Sequence, residues 1–266
     1  MLRTLRLPTM LATPAIAFLA AGQLHGDSQA SAAAQRAKLR TFFQGMKIYE
    51  SQCLPCHGEK GRGDGPWAEG LAPKPRDFRS GIFKFRSTPY GKLPTNDDLR
   101  RTITVGISGT AMPSFKSMSE DDINAVIHYV RSFSVRWNKE EHRAEPLTLP
   151  KTPEWFSNEE ELARRAKSGA GRFAQLCAVC HGAEGKGNGA AAKGLVDAWS
   201  QPVPPADLTA AHHKSGNAPA DLYRTIATGL DGTPMLGFAE ILKEDEIWEL
   251  IAYIKSKEIP EAQGGP

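Results

Sequence analysis

Cys53-Leu-Pro-Cys56-His57 and Cys177-Ala-Val-Cys180-His181 share one spacing, two thiols three positions apart followed at once by an imidazole, and together they contain all four cysteines of the chain. That order of residue types can bind a porphyrin covalently: both thiols form thioethers to it, and the adjoining histidine is then placed to ligate the central iron. On this reading the chain carries two haem c groups, one per motif, with His57 and His181 as the proximal iron ligands. Two Cys-x-x-Cys pairs are also the material of a four-cysteine zinc site or, singly, of a thioredoxin-like redox pair. Neither alternative accounts for the histidine and glycine that follow the second cysteine in both copies, nor for a methionine that recurs at nearly the same distance downstream.

The elements that must position these motifs occur twice. An offset of 124 positions superimposes them and brings much of the chain into register. Tyr49 and Phe173 each stand four residues before the first cysteine, at the end of a stretch that can form an amphipathic helix, whose apolar stripe in the first copy is Leu39, Phe42, Phe43 and Met46. Downstream, Leu99-Arg-Arg-Thr102-Ile103 matches Leu222-Tyr-Arg-Thr225-Ile226, and Gly109-Thr-Ala-Met112 matches Gly232-Thr-Pro-Met235. A closing helix follows in each copy: Ile123, Val126, Ile127 and Val130 fall on one face, and Ile247, Leu250, Ile251 and Ile254 repeat that face. Ser119 and Asp122 have the spacing of a capping box at the start of the first closing helix. Tyr129 and Tyr253 hold matching places in the closing helices and read as core aromatics packed against Tyr49 and Phe173.

A helix ending in Cys-x-x-Cys-His-Gly, a Gly/Pro-rich middle, a Gly-Thr-x-Met segment and a closing helix resemble class I cytochrome c, present twice as in two-domain dihaem cytochromes. The resemblance covers about residues 36–136 and 158–258. It implies an all-α chain of two small helical domains, each wrapped around one covalent haem with an exposed edge. The expected division is a leader over 1–30, domains over 36–136 and 158–260, and a linker over 137–157, where several charges with Pro146, Pro150 and Pro153 read as semi-rigid.

A methionine can close the second side of each iron. His57 and Met112 are 55 positions apart, His181 and Met235 54. A thioether stabilises ferrous iron, raises the potential relative to a second histidine and keeps substrates off the metal, which suits electron transfer. Met235 is the sole methionine after Met118. In the first copy Met112 is preferred, because Met46 belongs to the leading helix and Met118 has no counterpart in the repeat. His128 reads as a surface residue of the closing helix, and His212 and His213 as polar residues of an exposed loop.

With 40% apolar residues and 8% aromatics in 266 positions, two small domains are affordable in length, and covalent haems would complete their cores. Arg3 and Arg6 precede a mostly apolar stretch from Leu7 to Ala21, broken by Thr13 and Pro14, which reads as a cleaved secretory signal or an N-terminal anchor. Cleavage is expected near Ala20-Ala21 or between Ala30 and Ala34. Export agrees with the attachment of c-type haem outside the bacterial cytoplasm, so the expected location is the periplasm.

The halves differ in charge. Residues 36–136 carry 17 Lys/Arg against 10 Asp/Glu, a net +7, while 158–260 carry 11 against 14, a net −3. Redox protein partners are expected, with an acidic one docking on the first domain. Nucleic acid is not a sensible partner for an exported haem protein, and a membrane is met only through the anchor or a membrane complex. The excess is concentrated between Lys74 and Lys92, where the first copy has seven more residues between Asp77 and Leu99 than the second has between Asp207 and Leu222. Ile82-Phe83-Lys84-Phe85-Arg86 alternates as a short strand does and leads to a Pro89-Tyr90-Gly91 turn, a docking flap or a haem cover. Arg76 and Arg79 are candidate partners for a haem propionate.

The expected function is one-electron relay between a donor and an acceptor, as a free carrier or as the cytochrome subunit of an oxidoreductase or respiratory complex, without catalysis of its own. The competing class is a haem enzyme. A dihaem peroxidase needs an iron open to peroxide, which a methionine in both copies opposes, and a cysteine-ligated thiosulfate-oxidising haem would need a fifth cysteine.

Overall fold

A computed structural model describes residues 15–259, with side chains from residue 31 onward. The first copy runs through α1 (Ala15–Ile48), a π-helical turn (Tyr49–Cys53), α2 (Leu54–His57), a long irregular segment, α3 (Asn96–Val105) and α4 (Glu120–Ser132). The second repeats that order in α5 (Glu159–Leu176), α6 (Ala178–His181), an irregular segment, α7 (Pro219–Thr228) and α8 (Glu244–Lys257). Among the described residues there is no strand, and the fold is all-α. The leader expected over 1–30 lies mostly outside the described residues; among those described, no helix is long and apolar enough to cross a membrane.

In each copy the leading helix crosses the closing helix, α1 on α4 and α5 on α8. The two apolar faces read from the sequence are the ones buried: Ile123, Val126, Ile127 and Val130 in α4, and Ile247, Leu250, Ile251 and Ile254 in α8. Tyr49 packs on Tyr129 with ring centroids 5.3 Å apart, and Phe173 on Tyr253 at 5.0 Å. Thr95 caps α3 through a reciprocal box with Asp98. Ser119 caps α4 by accepting from the Asp122 N–H, but Asp122 does not return the bond to the cap; its carboxylate accepts from the Ser119 hydroxyl and from Gln44.

The α1 stripe is shifted from the expected one. Leu39 and Phe43 are exposed, because the helices meet at Gly45, and that crossing turns Phe42 and Tyr49 toward Tyr129.

Residues 82–86 form no strand. They run as an irregular stretch whose ends are buried in different places, Phe83 in the first core and Arg86 against the second copy. The turn after it does form, closed by the Lys92 N–H to the Pro89 carbonyl at 3.1 Å.

Residues 137–157 are packed rather than free. Trp137 belongs to the first core, whereas Leu147, Leu149, Trp155 and Phe156 lie on the second. Apolar side chains inserted in both cores hold the segment down. The copies themselves meet through ion pairs, Arg101 with Asp221 and Lys84 with Asp197, and through buried contacts of Arg86.

Candidate functional site

Each motif sits on one short turn of helix at the end of the leading helix. Cys53 and Cys177 precede α2 and α6 with nearly identical backbone angles, φ −113° and −111°. Gly58 and Gly182 end those helices at φ 77° and 78°, a conformation that residues bearing a Cβ avoid, which explains why a glycine follows each histidine.

The histidines are oriented by backbone. His57 donates from Nδ1 to the carbonyl oxygen of Arg76 at 3.1 Å, and His181 from Nδ1 to that of Ala206 at 3.0 Å. Because the carbonyl can only accept, Nδ1 carries the proton and Nε2 is left with its lone pair free for a metal. Burial lowers both imidazoles below their ordinary value, which favours the neutral, ligating form. His57 is further fixed by stacking on Phe78, centroids 4.4 Å apart. Behind it the Tyr49 hydroxyl donates to the Gly58 carbonyl at 2.7 Å, a bond that Phe173 cannot make in the second copy.

All four cysteines are free and half-buried. Burial pushes the Cys53 thiol up to about 12 and the Cys177 thiol to about 11. The two pairs lie in separate copies, and among the described residues no group of three or more His, Cys, Asp or Glu side chains could hold a metal ion. A four-cysteine zinc site is therefore ruled out by placement. A free cysteine pair beside an imidazole with its Nε2 lone pair available fits a covalent haem c.

The Gly-Thr-x-Met segments form the same closed turn twice. The Ile107 N–H donates to the Met112 carbonyl at 3.1 Å, the Thr110 hydroxyl to the Ile107 carbonyl at 2.8 Å, and the Met112 N–H to the Thr110 hydroxyl at 3.1 Å. In the second copy Leu230, Thr233 and Met235 make the same three bonds at 2.9, 2.7 and 3.2 Å. Both methionines are half-buried, and Met118 packs in the first core. The threonines were visible in the repeat as part of the motif, but their role as the latch of the turn was not.

Other expectations are redistributed. His128 is a surface residue, edge-on to Phe42. His212 is exposed, but His213 is buried, its Nε2 3.1 Å from Glu258, because the Thr209–Ser215 loop folds onto the end of α8. Arg79 pairs with Asp77 at the surface, and the Arg76 guanidinium lies 3.7 Å over the Trp199 ring of the second copy, so both have protein partners.

Residues 41–130 match the family described as cytochrome c oxidase, cbb3-type, subunit III, and residues 166–258 the family described as cytochrome c. The chain is 29% identical over 148 residues to the Cbb3-type cytochrome c oxidase subunit FixP of Azorhizobium caulinodans, covering 54% of this chain and 40% of that one. It thus spans about two fifths of that relative's length. Among solved structures it resembles a chain of the Kuenenia stuttgartiensis reducing HAO-like protein complex Kustc0457/Kustc0458, at 36% identity and TM-score 0.73, over 81% of this chain and 96% of that one.

Proposed function

Because this chain belongs to the cytochrome c family, with two class I cytochrome c domains in tandem, we propose that it is an exported dihaem cytochrome that relays single electrons between redox protein partners. The observation that carries this reading is the doubled site: a cysteine pair, an imidazole with Nε2 free and a threonine-latched methionine turn, each present in both copies. When bound, a haem c in each domain supplies an iron that alternates between ferric and ferrous.

We assign domain 1 to 36–136, domain 2 to 158–260 and the joining segment to 137–157. Cys53 and Cys56 hold one haem and Cys177 and Cys180 the other. His57 and His181 would offer Nε2 to the iron, and Met112 and Met235 would offer their sulfurs. The carbonyls of Arg76 and Ala206 fix the imidazole planes and raise their basicity. The methionine sulfurs would favour the ferrous state and, while bound, would keep peroxide from the metal, which sets this reading above a dihaem peroxidase.

Export to the periplasm rests on the Arg3/Arg6 leader and on the attachment chemistry of haem c. Relatives described as an oxidase subunit and as part of a protein complex support either a free carrier or the cytochrome subunit of a larger oxidoreductase. The external partner is a redox protein with an acidic face, docking at Lys60, Arg62 and Lys116, exposed basic residues that follow His57 and Met112 closely in the chain.

A potentiometric visible spectrum of the haem-loaded protein tests the assignment. Two low-spin haems with methionine-to-ferric-iron absorption are expected, and Met235→Ala removes that absorption at one haem alone. Retention of both signals in Met235→Ala would refute the ligand assignment.

A further inference from the structure

The two methionine turns share three internal hydrogen bonds and differ in what surrounds them. At Gly109 of the first turn a Cβ would meet nothing within 4 Å. At its counterpart Gly232 the same atom would stand 2.8 Å from Ile82 of the first domain and 3.0 Å from the Trp199 ring. Thr233 is buried and Thr110 only half so; Asp231 is buried and its counterpart Ser108 exposed.

Part of the cover is the second domain's own Trp199 and Ala198; the rest comes from the first domain, mostly from the stretch that the repeat identified as extra residues. Arg86, 1% exposed, donates to the carbonyl of Thr228 at 2.8 Å and of Gly229 at 3.4 Å. These are carbonyls at the end of α7, where a helix leaves its acceptors unpaired, immediately before the methionine turn. Tyr90 donates its hydroxyl to the Thr233 carbonyl at 3.0 Å. On the other side Arg76 stacks on Trp199, while the neighbouring Ala198 N–H donates to the Gly232 carbonyl at 2.8 Å. Among the described residues, no second-domain group donates a hydrogen bond to the Met112 turn or stands within 4 Å of a Cβ placed at Gly109.

We propose that residues 76–90 of the first domain clamp the Met235 turn of the second, fixing that methionine in place while Met112 stays displaceable. Arg86 and Tyr90 act as positioning residues. The inference rests on the ligand assignment above. Its consequence is an unequal pair of sites: a closed one suited to transfer alone, and one at which a small exogenous ligand can replace the protein's sulfur. The clamp also accounts for a buried guanidinium in a stretch otherwise read as a docking flap, since a charge is buried only where its donors are satisfied.

Titration of the ferric holoprotein with imidazole tests it, following the methionine-to-iron absorption, with Met112→Ala and Met235→Ala assigning the signal to each site. In the wild type the Met112 signal is lost at lower imidazole than the Met235 signal. Tyr90→Phe removes only a hydroxyl and tightens imidazole at the second site by roughly five- to tenfold, the worth of one hydrogen bond, leaving the first site unchanged. Arg86→Met acts in the same direction more strongly, and Tyr90→Phe decides should that variant fail to fold. Equal imidazole affinity at the two wild-type sites, or a Tyr90→Phe effect at neither site or at both alike, overturns the clamp alone. A wild-type spectrum lacking a methionine signal overturns the ligand assignment and the clamp with it, so the two failures are told apart before any variant is made.

Discussion

Gly45 in α1 lies against the carbonyl of Ala125 in α4 so closely that a Cβ would stand 2.0 Å from that oxygen. Gly169 meets the carbonyl of Glu249 at the same 2.0 Å, and both members of the pair are displaced by 124 positions. Each crossing therefore depends on a missing side chain, and the close approach is what lets Tyr49 reach Tyr129 and Phe173 reach Tyr253.

A methyl group at either glycine meets backbone, which cannot swing aside. Gly45→Ala is expected to destabilise the first domain, and Gly169→Ala the second, by about 1–3 kcal/mol or more. Thermal unfolding followed at each haem band would check this; a variant as stable as the wild type would show that the helices can separate without loss.

The threonine latch is testable without touching a ligand. Thr110→Val and Thr233→Val each remove a hydroxyl that both donates and accepts within the methionine turn, at a cost of about 1–3 kcal/mol for the groups left unpaired. Weaker methionine-to-iron absorption is expected at the altered domain alone, measured by room-temperature absorption across a thermal ramp. Unchanged absorption in both variants would leave the turn held by its backbone bonds.

Arg172 of α5 reaches Glu246 at 2.9 Å and Glu249 at 2.5 Å in α8. The Lys243 N–H, and then Arg172, hold the Glu246 carboxyl below its ordinary value of 4.5. A carboxyl depressed by folding binds fewer protons in the native state, so its contribution is present above about pH 4.5 and is lost as pH falls through the lower native value. Glu246→Gln should thus melt below the wild type near about pH 7, with the gap closing as pH falls through the carboxyl's lowered native value. A gap independent of pH would remove Glu246 from the acid response.

Much of the basic run from Lys74 to Lys92 faces the chain itself: Arg76, Lys84 and Arg86 are engaged by the second domain, and Lys92 donates to the Glu141 carbonyl. On the proposed reading, steering of an acidic partner would fall instead to exposed charges such as Lys60, Arg62 and Lys116. Stopped-flow electron transfer to the native partner should slow as salt rises, and charge reversal at Lys60 and Arg62 should flatten that dependence. Rates indifferent to salt would exclude charge-guided docking.

What the sequence by itself determined was local chemistry and its repetition. Cys-x-x-Cys-His is short enough for one helical turn to place, and a period of 3.6 residues identifies the buried faces of α4 and α8 without knowledge of any partner. The Gly-Thr-x-Met segments were legible as a repeat, but that each closes on itself through its threonine was seen only in the structure. Tertiary structure decided everything that depended on a surface being met. Leu39 and Phe43 lie on an apolar stripe, yet only the crossing at Gly45 says which side of that stripe is covered. Ile82–Arg86 alternates like a strand, but among the described residues there is no strand to take its hydrogen bonds, and Arg86 finds acceptors in the second domain. His213 is buried because of a glutamate 45 positions away. Backbone periodicity is written within a few residues of sequence, whereas burial and charge pairing between distant segments are properties of the packed chain.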